Sequence, residues 1–200
     1  HQPMLSNCGR FVLAYNGEVY NFIEIRNILK KQGIRFKGNS DTEVVLEACV
    51  NWGVQRAIQK FNGMFSFALW DRKSEKLTLA RDRLGIKPLY WGKCGTTLFF
   101  GSQPSCFEKH PNWIGEIDRR SVASFLRHNY IPSPFSIYSK VQKLRPGYVL
   151  EIHKGEVRKD EAYWDVDIFS KKSERSSEIS ENEALGRFGD LLSETIERQM

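Results

Sequence analysis

The segment "LAYNGEVYNFIEIR" (residues 13–26) changes character in its middle, and it decides how the first part of the chain folds. Residues 10–16 are mostly apolar and indicate a buried strand, whereas the apolar residues after them recur at helical spacing. The polar letters "NGE" lie between these two patterns. The segment therefore predicts a strand over residues 10–16, a sharp turn at Asn16 and Gly17, and a helix over residues 21–32.

The Asn16-Gly17 pair allows two interpretations. An isolated Asn-Gly pair is typical of a tight hairpin turn, but a hairpin would continue into a second alternating strand, and a helical pattern follows here. In the second interpretation the asparagine side-chain N–H and the glycine backbone N–H converge on one oxygen, since glycine lets the backbone approach a ligand closely. Two converging donors form an oxyanion hole. The neighbouring Glu18 could pair with an ammonium group of the same ligand.

The patterns further along the chain predict helices mixed with antiparallel strands. A helix is expected from a cap at Ser40 or Asp41 to Gly53, and a short helix over residues 54–61 follows it. A later helix is expected after a cap at Asp118. Strands are predicted in "GMFSFALWD" and "KLTLARD", in "PLYWG" and "TLFFGS", which are joined around residues 92–95, and in the hairpin "YVLEIHKGEVR", which turns at Lys154-Gly155. This mixture favours a layered α+β sandwich over repeated βαβ units.

Composition excludes several classes of function. With 200 residues and 40% hydrophobic content, the chain can bury one substantial core, and its longest apolar run, residues 64–70, is far too short to span a membrane. The net charge of +6 comes from basic residues interleaved with acidic ones, which disfavours nucleic-acid binding. The scattered histidines and cysteines have no metal-ligand spacing, so no metal site and no disulfide are expected. The cysteines are Cys8, Cys49, Cys94 and Cys106.

Four ordered motifs carry a resemblance to a known family. The segments "YNGEVYNFIEIR", "GNSDTEVVL", "NGMFSFALWDRKSEKLTLARDRLGIKPLYW" and "IPSPFSIYSKVQKLRPGYVL" resemble the glutaminase domain of glutamine-hydrolysing asparagine synthetases. These are class II amidotransferases of the N-terminal nucleophile hydrolase fold, and the resemblance covers residues 1–164. It implies an α+β fold, a four-layer αββα sandwich of antiparallel sheets, here incomplete at the N-terminus. It also implies a cytoplasmic enzyme that hydrolyses glutamine and uses the ammonia, with ATP and aspartate, to make asparagine.

The resemblance also assigns roles to individual residues. The Asn16 side chain and the Gly17 N–H would form the oxyanion hole, and Glu18 and Asp41 would hold the α-amino group of glutamine. A further set would shape a loop in the sheet that class II amidotransferases share. This set is Arg81, Asp82, Gly85, Lys87 and Pro88.

Two departures from the family pattern stand out. The family's nucleophile is a cysteine at the start of the mature chain, and the arginine that clamps the glutamine carboxylate also lies upstream of His1, so this fragment itself is expected to be inactive. An internal cysteine has no free α-amine to act as the base, and Cys8 is expected to be a buried structural thiol. The second departure is Gln103-Pro104, where family members carry a glutamate and then a lysine.

Beyond the glutaminase region, residues 1–165, the composition predicts a linker over residues 166–180. A capping box at Ser180 then opens a helix, and residues 181–200 are interpreted as the first helix of a truncated ATP-dependent synthetase domain. The expected partners are glutamine and this synthetase domain, and a homodimer is one assembly that the resemblance allows. ATP and magnesium are implied only for the synthetase domain, with no cofactor in the chain itself.

Alternatives to asparagine synthesis remain open at the level of sequence. The segment "RDRLGIKPL" would also fit an amidotransferase that serves a sugar-phosphate or phosphoribosyl acceptor. A non-catalytic binding domain with the same fold is a second alternative, since fold alone does not secure function. The segment "IPSPFSIYSKVQKLRPG" favours asparagine synthetase over the first alternative, and the absence of a cysteine at the mature N-terminus would favour the second.

Overall fold

A computed structural model describes residues 1–167 and 179–199 of the chain. Its architecture is two antiparallel sheets packed face to face. The larger sheet has six strands in the order β1-β2-β3-β4-β8-β9, and the smaller has three in the order β6-β5-β7. The strands are β1 (Met4–Leu5), β2 (Phe11–Val19), β3 (Gly63–Asp71), β4 (Lys76–Arg81), β5 (Tyr90–Cys94), β6 (Thr97–Gly101), β7 (Val141–Lys143), β8 (Tyr148–His153) and β9 (Glu156–Ala162).

Helices cover the outer faces of the two sheets, three α-helices on the larger sheet and a 3₁₀ helix on the smaller. The α-helices are α1 (Phe22–Lys31), α2 (Asp41–Trp52), α3 (Val54–Lys60), α4 (Arg119–His128) and α5 (Glu181–Glu197), and a 3₁₀ helix spans Pro104–Lys109. The predicted caps are confirmed: the side chain of Ser40 accepts from Glu43 N, and that of Asp118 accepts from Arg120 N. Each cap satisfies an N–H that the first turn of a helix leaves unpaired.

Three apolar clusters hold the layers together. The largest lies between α1–α3 and the six-stranded sheet, where Phe61, Phe65 and Phe67 are buried with aromatic contacts between them. Burying one such side chain stabilises the fold by about 1.5–3 kcal/mol. A second cluster, around Leu79 and Leu150, lies between the sheets, and a third covers the outer face of the small sheet beneath the 3₁₀ helix. The order helix, sheet, sheet, helix confirms the expected four-layer α+β sandwich.

The first strand differs from its prediction. Instead of turning at Asn16 and Gly17, β2 continues to Val19 and pairs with β3 along its whole length, Gly17 lying opposite Phe65. The predicted sharp turn is therefore wrong. A Cβ on Gly17 would lie 2.3 Å from the backbone oxygen of Met64, so the glycine is needed for the close approach of the two strands and not for a change of direction.

Other predictions hold with small shifts. The hairpin between β8 and β9 turns at Lys154 and Gly155, both at positive φ, as the sequence predicts. The β5–β6 turn was predicted around residues 92–95, but β5 runs through Cys94 and the turn begins at Gly95. Most of the predicted linker, residues 168–178, lies outside the described residues. The helix after the Ser180 cap is present as α5.

A membrane span requires a helix of sufficient length and hydropathy. None of the helices among residues 1–167 and 179–199 is long and apolar enough to cross a membrane.

Candidate active site

The Asn16 side chain lies in the cleft between the two sheets. Successive side chains of β2 point to opposite faces, so the residues before and after Asn16 face the large core while Asn16 faces the small sheet. Its Nδ2 donates to Oγ of Ser102, just after β6, at 3.0 Å. The cleft here encloses about 250 Å³, and Leu89, Gly101 and Ser66 also line it. One amide donor is thus held at the mouth of a small cleft.

The backbone N–H of Gly17 points along the sheet to the free edge of β2. The N–H groups of Tyr15 and Val19 both donate away from β3, to Oε1 of Gln2 at 2.7 Å and to Oδ2 of Asp41 at 3.1 Å. Because N–H directions alternate along a strand, that of Gly17 lies on the same edge, between these two. The short strand β1 pairs only with residues 12 and 13, so it does not reach Gly17. A second donor therefore faces outward beside the Asn16 amide.

Asp41 brings a carboxylate to this edge from the start of α2. Its Oδ2 accepts from the Tyr15 hydroxyl at 2.8 Å and from Val19 N at 3.1 Å, while its Oδ1 has only a long contact of 3.3 Å with Thr42 Oγ1. Glu18 is exposed, and its carboxylate accepts no hydrogen bond from the described residues. Two acidic side chains thus lie near the two donors, and each retains an oxygen that can accept from a ligand.

The loop after β4 is organised around the buried Asp82. Its carboxylate accepts from four backbone N–H groups at 2.9–3.3 Å, those of Phe65, Leu84, Ile86 and Lys87. The N–H of Asp82 in turn donates to Phe65 O at 2.8 Å. Phe65 is the residue of β3 that lies opposite Gly17. The loop therefore holds β3 in place, and β3 supports the strand that carries the candidate donors.

Arg81 fixes the same loop from its other side. Its guanidinium donates to the carbonyl oxygens of Lys87, Leu144 and Gly85 at 2.6–2.8 Å. A Cβ on Gly85 would lie 2.8 Å from the ring of Pro146 and 3.1 Å from the Arg81 guanidinium carbon, so a larger residue does not fit. The Pro88 carbonyl accepts from Ser66 Oγ at 3.1 Å, and Ser66 is the residue of β3 that lies opposite Asn16. These contacts hold the loop against β3, which lines the cleft.

The four cysteines lie away from the donor pair. Cys49 and Cys94 are buried, and burial raises the pKa of the Cys49 thiol. Cys106 packs beside Gly101, on the face of β6 opposite to Ser102. Cys8 is exposed, so its predicted burial is wrong, and a hydrogen bond with the Ser6 hydroxyl lowers the pKa of its thiol.

Sequence reasoning missed three supporting residues. The side-chain amide of Gln2 donates to Tyr15 O at 2.8 Å and accepts from Tyr15 N, so it continues the β1 ladder toward Gly17. Ser102 holds the Asn16 amide, and the Tyr15 hydroxyl holds Asp41. The two residues of each of these hydrogen-bonded pairs lie 13 to 86 positions apart in the sequence, so no local pattern could have indicated the contacts.

The 3₁₀ helix begins at the Gln103-Pro104 departure. Pro104 occupies the first turn, where a missing N–H does no harm, and Gln103 precedes it in an extended conformation. The departure thus lies directly after Ser102, at the rim of the cleft.

A sandwich of two antiparallel sheets with helices outside is the architecture expected from the sequence resemblance to class II glutamine amidotransferases. Comparison with known proteins agrees. The family profile described as "Glutamine amidotransferase domain" matches residues 1–164. The chain belongs to the glutamine amidotransferase domain family.

Relatives of known name resemble the chain over most of its length. It is 30% identical over 191 residues to asparagine synthetase [glutamine-hydrolyzing] 3 of Bacillus subtilis, which covers 95% of this chain and 30% of that protein. It is 37% identical over 144 residues to a putative asparagine synthetase [glutamine-hydrolyzing] of Mycobacterium tuberculosis, covering 69% of this chain and 22% of that protein. The chain therefore spans less than a third of the length of these relatives.

Solved structures share the fold at lower identity. The glutamine phosphoribosylpyrophosphate amidotransferase of B. subtilis superposes with a TM-score of 0.58 at 19% identity, over 82% of this chain and 32% of that one. At this identity the likeness concerns the fold alone.

Proposed function

We propose that the protein to which this chain belongs hydrolyses glutamine to glutamate and ammonia at the edge of β2. The observation that carries the proposal is the pair of adjacent donors, the Asn16 amide in the cleft and the Gly17 N–H on the open edge. Donors placed in advance for the negative charge of a tetrahedral intermediate lower its energy, and loss of one such donor commonly reduces the rate by about 10²- to 10³-fold.

The acidic residues would orient the substrate. Glutamine carries an α-ammonium group, and Glu18 and Oδ1 of Asp41 supply negative oxygens beside the donors. Charge-assisted hydrogen bonds of this kind are stronger than neutral ones, and they fix the direction of the side-chain amide. The substrate amide carbon would then lie next to the oxyanion donors.

The attacking group would be a cysteine N-terminal to His1, with its own α-amine as the base. A thiol becomes a nucleophile when a neighbouring base takes its proton, and only a terminal residue carries a free amine. The positions of the four cysteines support this assignment, because none of them lines the cleft that holds Asn16.

The ammonia would serve asparagine synthesis. Both curated relatives described above bear the name asparagine synthetase, whereas the likeness to the phosphoribosylpyrophosphate amidotransferase is one of fold. ATP, magnesium and aspartate would bind in a part of the longer protein outside this chain. Among residues 1–167 and 179–199, no three His, Cys, Asp or Glu side chains converge as metal ligands.

The test uses the full-length protein and two nitrogen sources. Glutamine-dependent glutamate release is measured beside a variant whose leading cysteine is replaced by alanine, and asparagine formation from aspartate and ATP is measured with glutamine or with ammonium chloride. The variant should lose glutamine hydrolysis and glutamine-dependent synthesis but keep ammonium-dependent synthesis. Equal glutamine hydrolysis by the two proteins would reject the proposal.

A further inference from the structure

Tyr15 places a buried hydroxyl beside the candidate site. Its side chain is 8% exposed and packs in the large core with Leu13 and Val19, on the face of β2 opposite to Asn16. The hydroxyl lies near the edge of β2 and donates to Asp41 Oδ2 at 2.8 Å. The residue before the oxyanion pair thus contacts the carboxylate assigned to the substrate's ammonium group.

Two donors from β2 hold the same carboxylate oxygen. The Val19 N–H reaches Asp41 Oδ2 at 3.1 Å, so the carboxylate bridges residues two before and two after Gly17. With Oδ2 bound in this way, the carboxylate cannot rotate about its last bond without breaking both hydrogen bonds. The other oxygen, Oδ1, is thereby directed away from β2 and remains able to accept from a ligand.

The protonation state of Tyr15 suits this role. Burial, reinforced by the negative charge of Asp41, raises the pKa of the Tyr15 hydroxyl well above its ordinary value. The hydroxyl therefore keeps its proton at neutral pH and acts as a donor to Oδ2.

We propose that Tyr15 is a positioning residue for glutamine: its hydroxyl fixes the Asp41 carboxylate so that Oδ1 receives the α-ammonium group. This inference rests on the proposed function. It concerns recognition of the amino group and not the chemistry at the amide, so Tyr15 acts through Asp41 and does not touch the reacting atoms.

The test compares two inhibitors of glutamine hydrolysis by the full-length protein. Glutamate carries the α-ammonium group, and glutarate is the same diacid without it. Tyr15→Phe removes only the hydroxyl and keeps the ring in the core. It should raise the inhibition constant of glutamate and the KM of glutamine about tenfold, as expected for loss of one hydrogen bond to a charged group. The kcat and the inhibition constant of glutarate should change less than about twofold.

A matched control removes a chemically identical bond elsewhere. Tyr138 donates its hydroxyl to Glu108 Oε1, also at 2.8 Å, on the outer side of the small sheet. Tyr138→Phe should therefore leave both inhibition constants unchanged. In an Asp41→Asn background, Tyr15→Phe should add no further loss of glutamate binding, since the partner whose position it fixes has been altered.

The outcomes separate this inference from the proposed function. Equal weakening of glutamate and glutarate in Tyr15→Phe would mean general damage to the site and would overturn the positioning role, as would no change for either. An additive loss in the Asp41→Asn background would also overturn it. Absence of glutamine hydrolysis in the unaltered full-length protein would instead reject the proposed function itself.

Discussion

Replacing Gly17 by alanine tests the close approach of β2 and β3 at the candidate site. An added Cβ would lie 2.3 Å from Met64 O, 2.6 Å from Phe65 Cα and 2.8 Å from Phe65 Cβ, whereas ordinary contacts begin at 3.4 Å. The strands would have to separate by about 1 Å, because the two nearest atoms are backbone and cannot rotate away. Such a shift strains the backbone hydrogen bonds of the neighbouring residue pairs, each of which contributes about 1 kcal/mol.

We therefore expect Gly17→Ala to lower the free energy of unfolding by about 2–4 kcal/mol, the sum of overpacking and weakened pairing. Urea unfolding followed by tryptophan fluorescence measures it. Gly186→Ala is the control, because a Cβ there meets nothing within 4 Å and alanine favours a helix, so no loss is expected. A loss below about 0.5 kcal/mol for Gly17→Ala would show that the strands accommodate a Cβ, and the packing argument would be refuted.

Three further substitutions test the supports of the site and the sheet. Asp82→Asn leaves two of the four N–H groups facing an amide donor, so urea unfolding should give a loss of about 3 kcal/mol; a loss below about 1 would contradict the bracing role. Hydrogen bonds from Arg10 lower the pKa of Asp71, so the stability that this carboxylate contributes is present above its unfolded pKa of about 3.9 and is lost as the pH falls through the lowered folded value. The urea midpoint of Asp71→Asn should accordingly lie below that of the unaltered protein at pH 7 and approach it below a pH of about 4, and a gap that is constant with pH would argue against this. Ser102→Ala frees the Asn16 amide and should lower the kcat of the full-length protein about 3- to 10-fold at unchanged stability, whereas an unchanged kcat would mean that Asn16 needs no such partner.

Local chemistry in the sequence was enough to predict most helices and hairpins. The caps at Ser40 and Asp118 and the turn at Lys154-Gly155 depend on residues within four positions of one another, and each appears where it was predicted. The four-layer order was expected from the resemblance of four motifs and could not be derived from periodicity alone.

The errors came from contacts between distant segments. The continuation of β2 beyond Asn16 depends on pairing with β3, some fifty residues later, and that pairing overrides the turn preference of an Asn-Gly pair. The exposure of Cys8 depends on how the loop between β1 and β2 meets α2, where Asn7 N donates to Glu47 Oε1 at 3.0 Å. Neither feature has a signature in the adjacent sequence.

The candidate site likewise contains residues that the sequence indicated and residues that it did not. Asn16, Gly17, Glu18 and Asp41 were named from the sequence and its family resemblance. In the structure the first three are consecutive residues of β2, and the Asp41 carboxylate contacts the same strand at Tyr15 and Val19. The supports from Gln2, Tyr15 and Ser102 were missed, since strand alternation gives the direction of a side chain but not the partner of its polar end.

The most direct measurement is the steady-state rate of glutamine hydrolysis by the full-length protein carrying Asn16→Ala. Asn16 is exposed and lies outside the packed clusters, so thermal unfolding should be unchanged and the comparison should isolate its amide. If the amide stabilises the negative charge of the tetrahedral intermediate, kcat should fall about 10²- to 10³-fold while KM changes little. A variant that hydrolyses glutamine as fast as the unaltered protein would contradict the assignment of this strand edge as the site of glutamine cleavage.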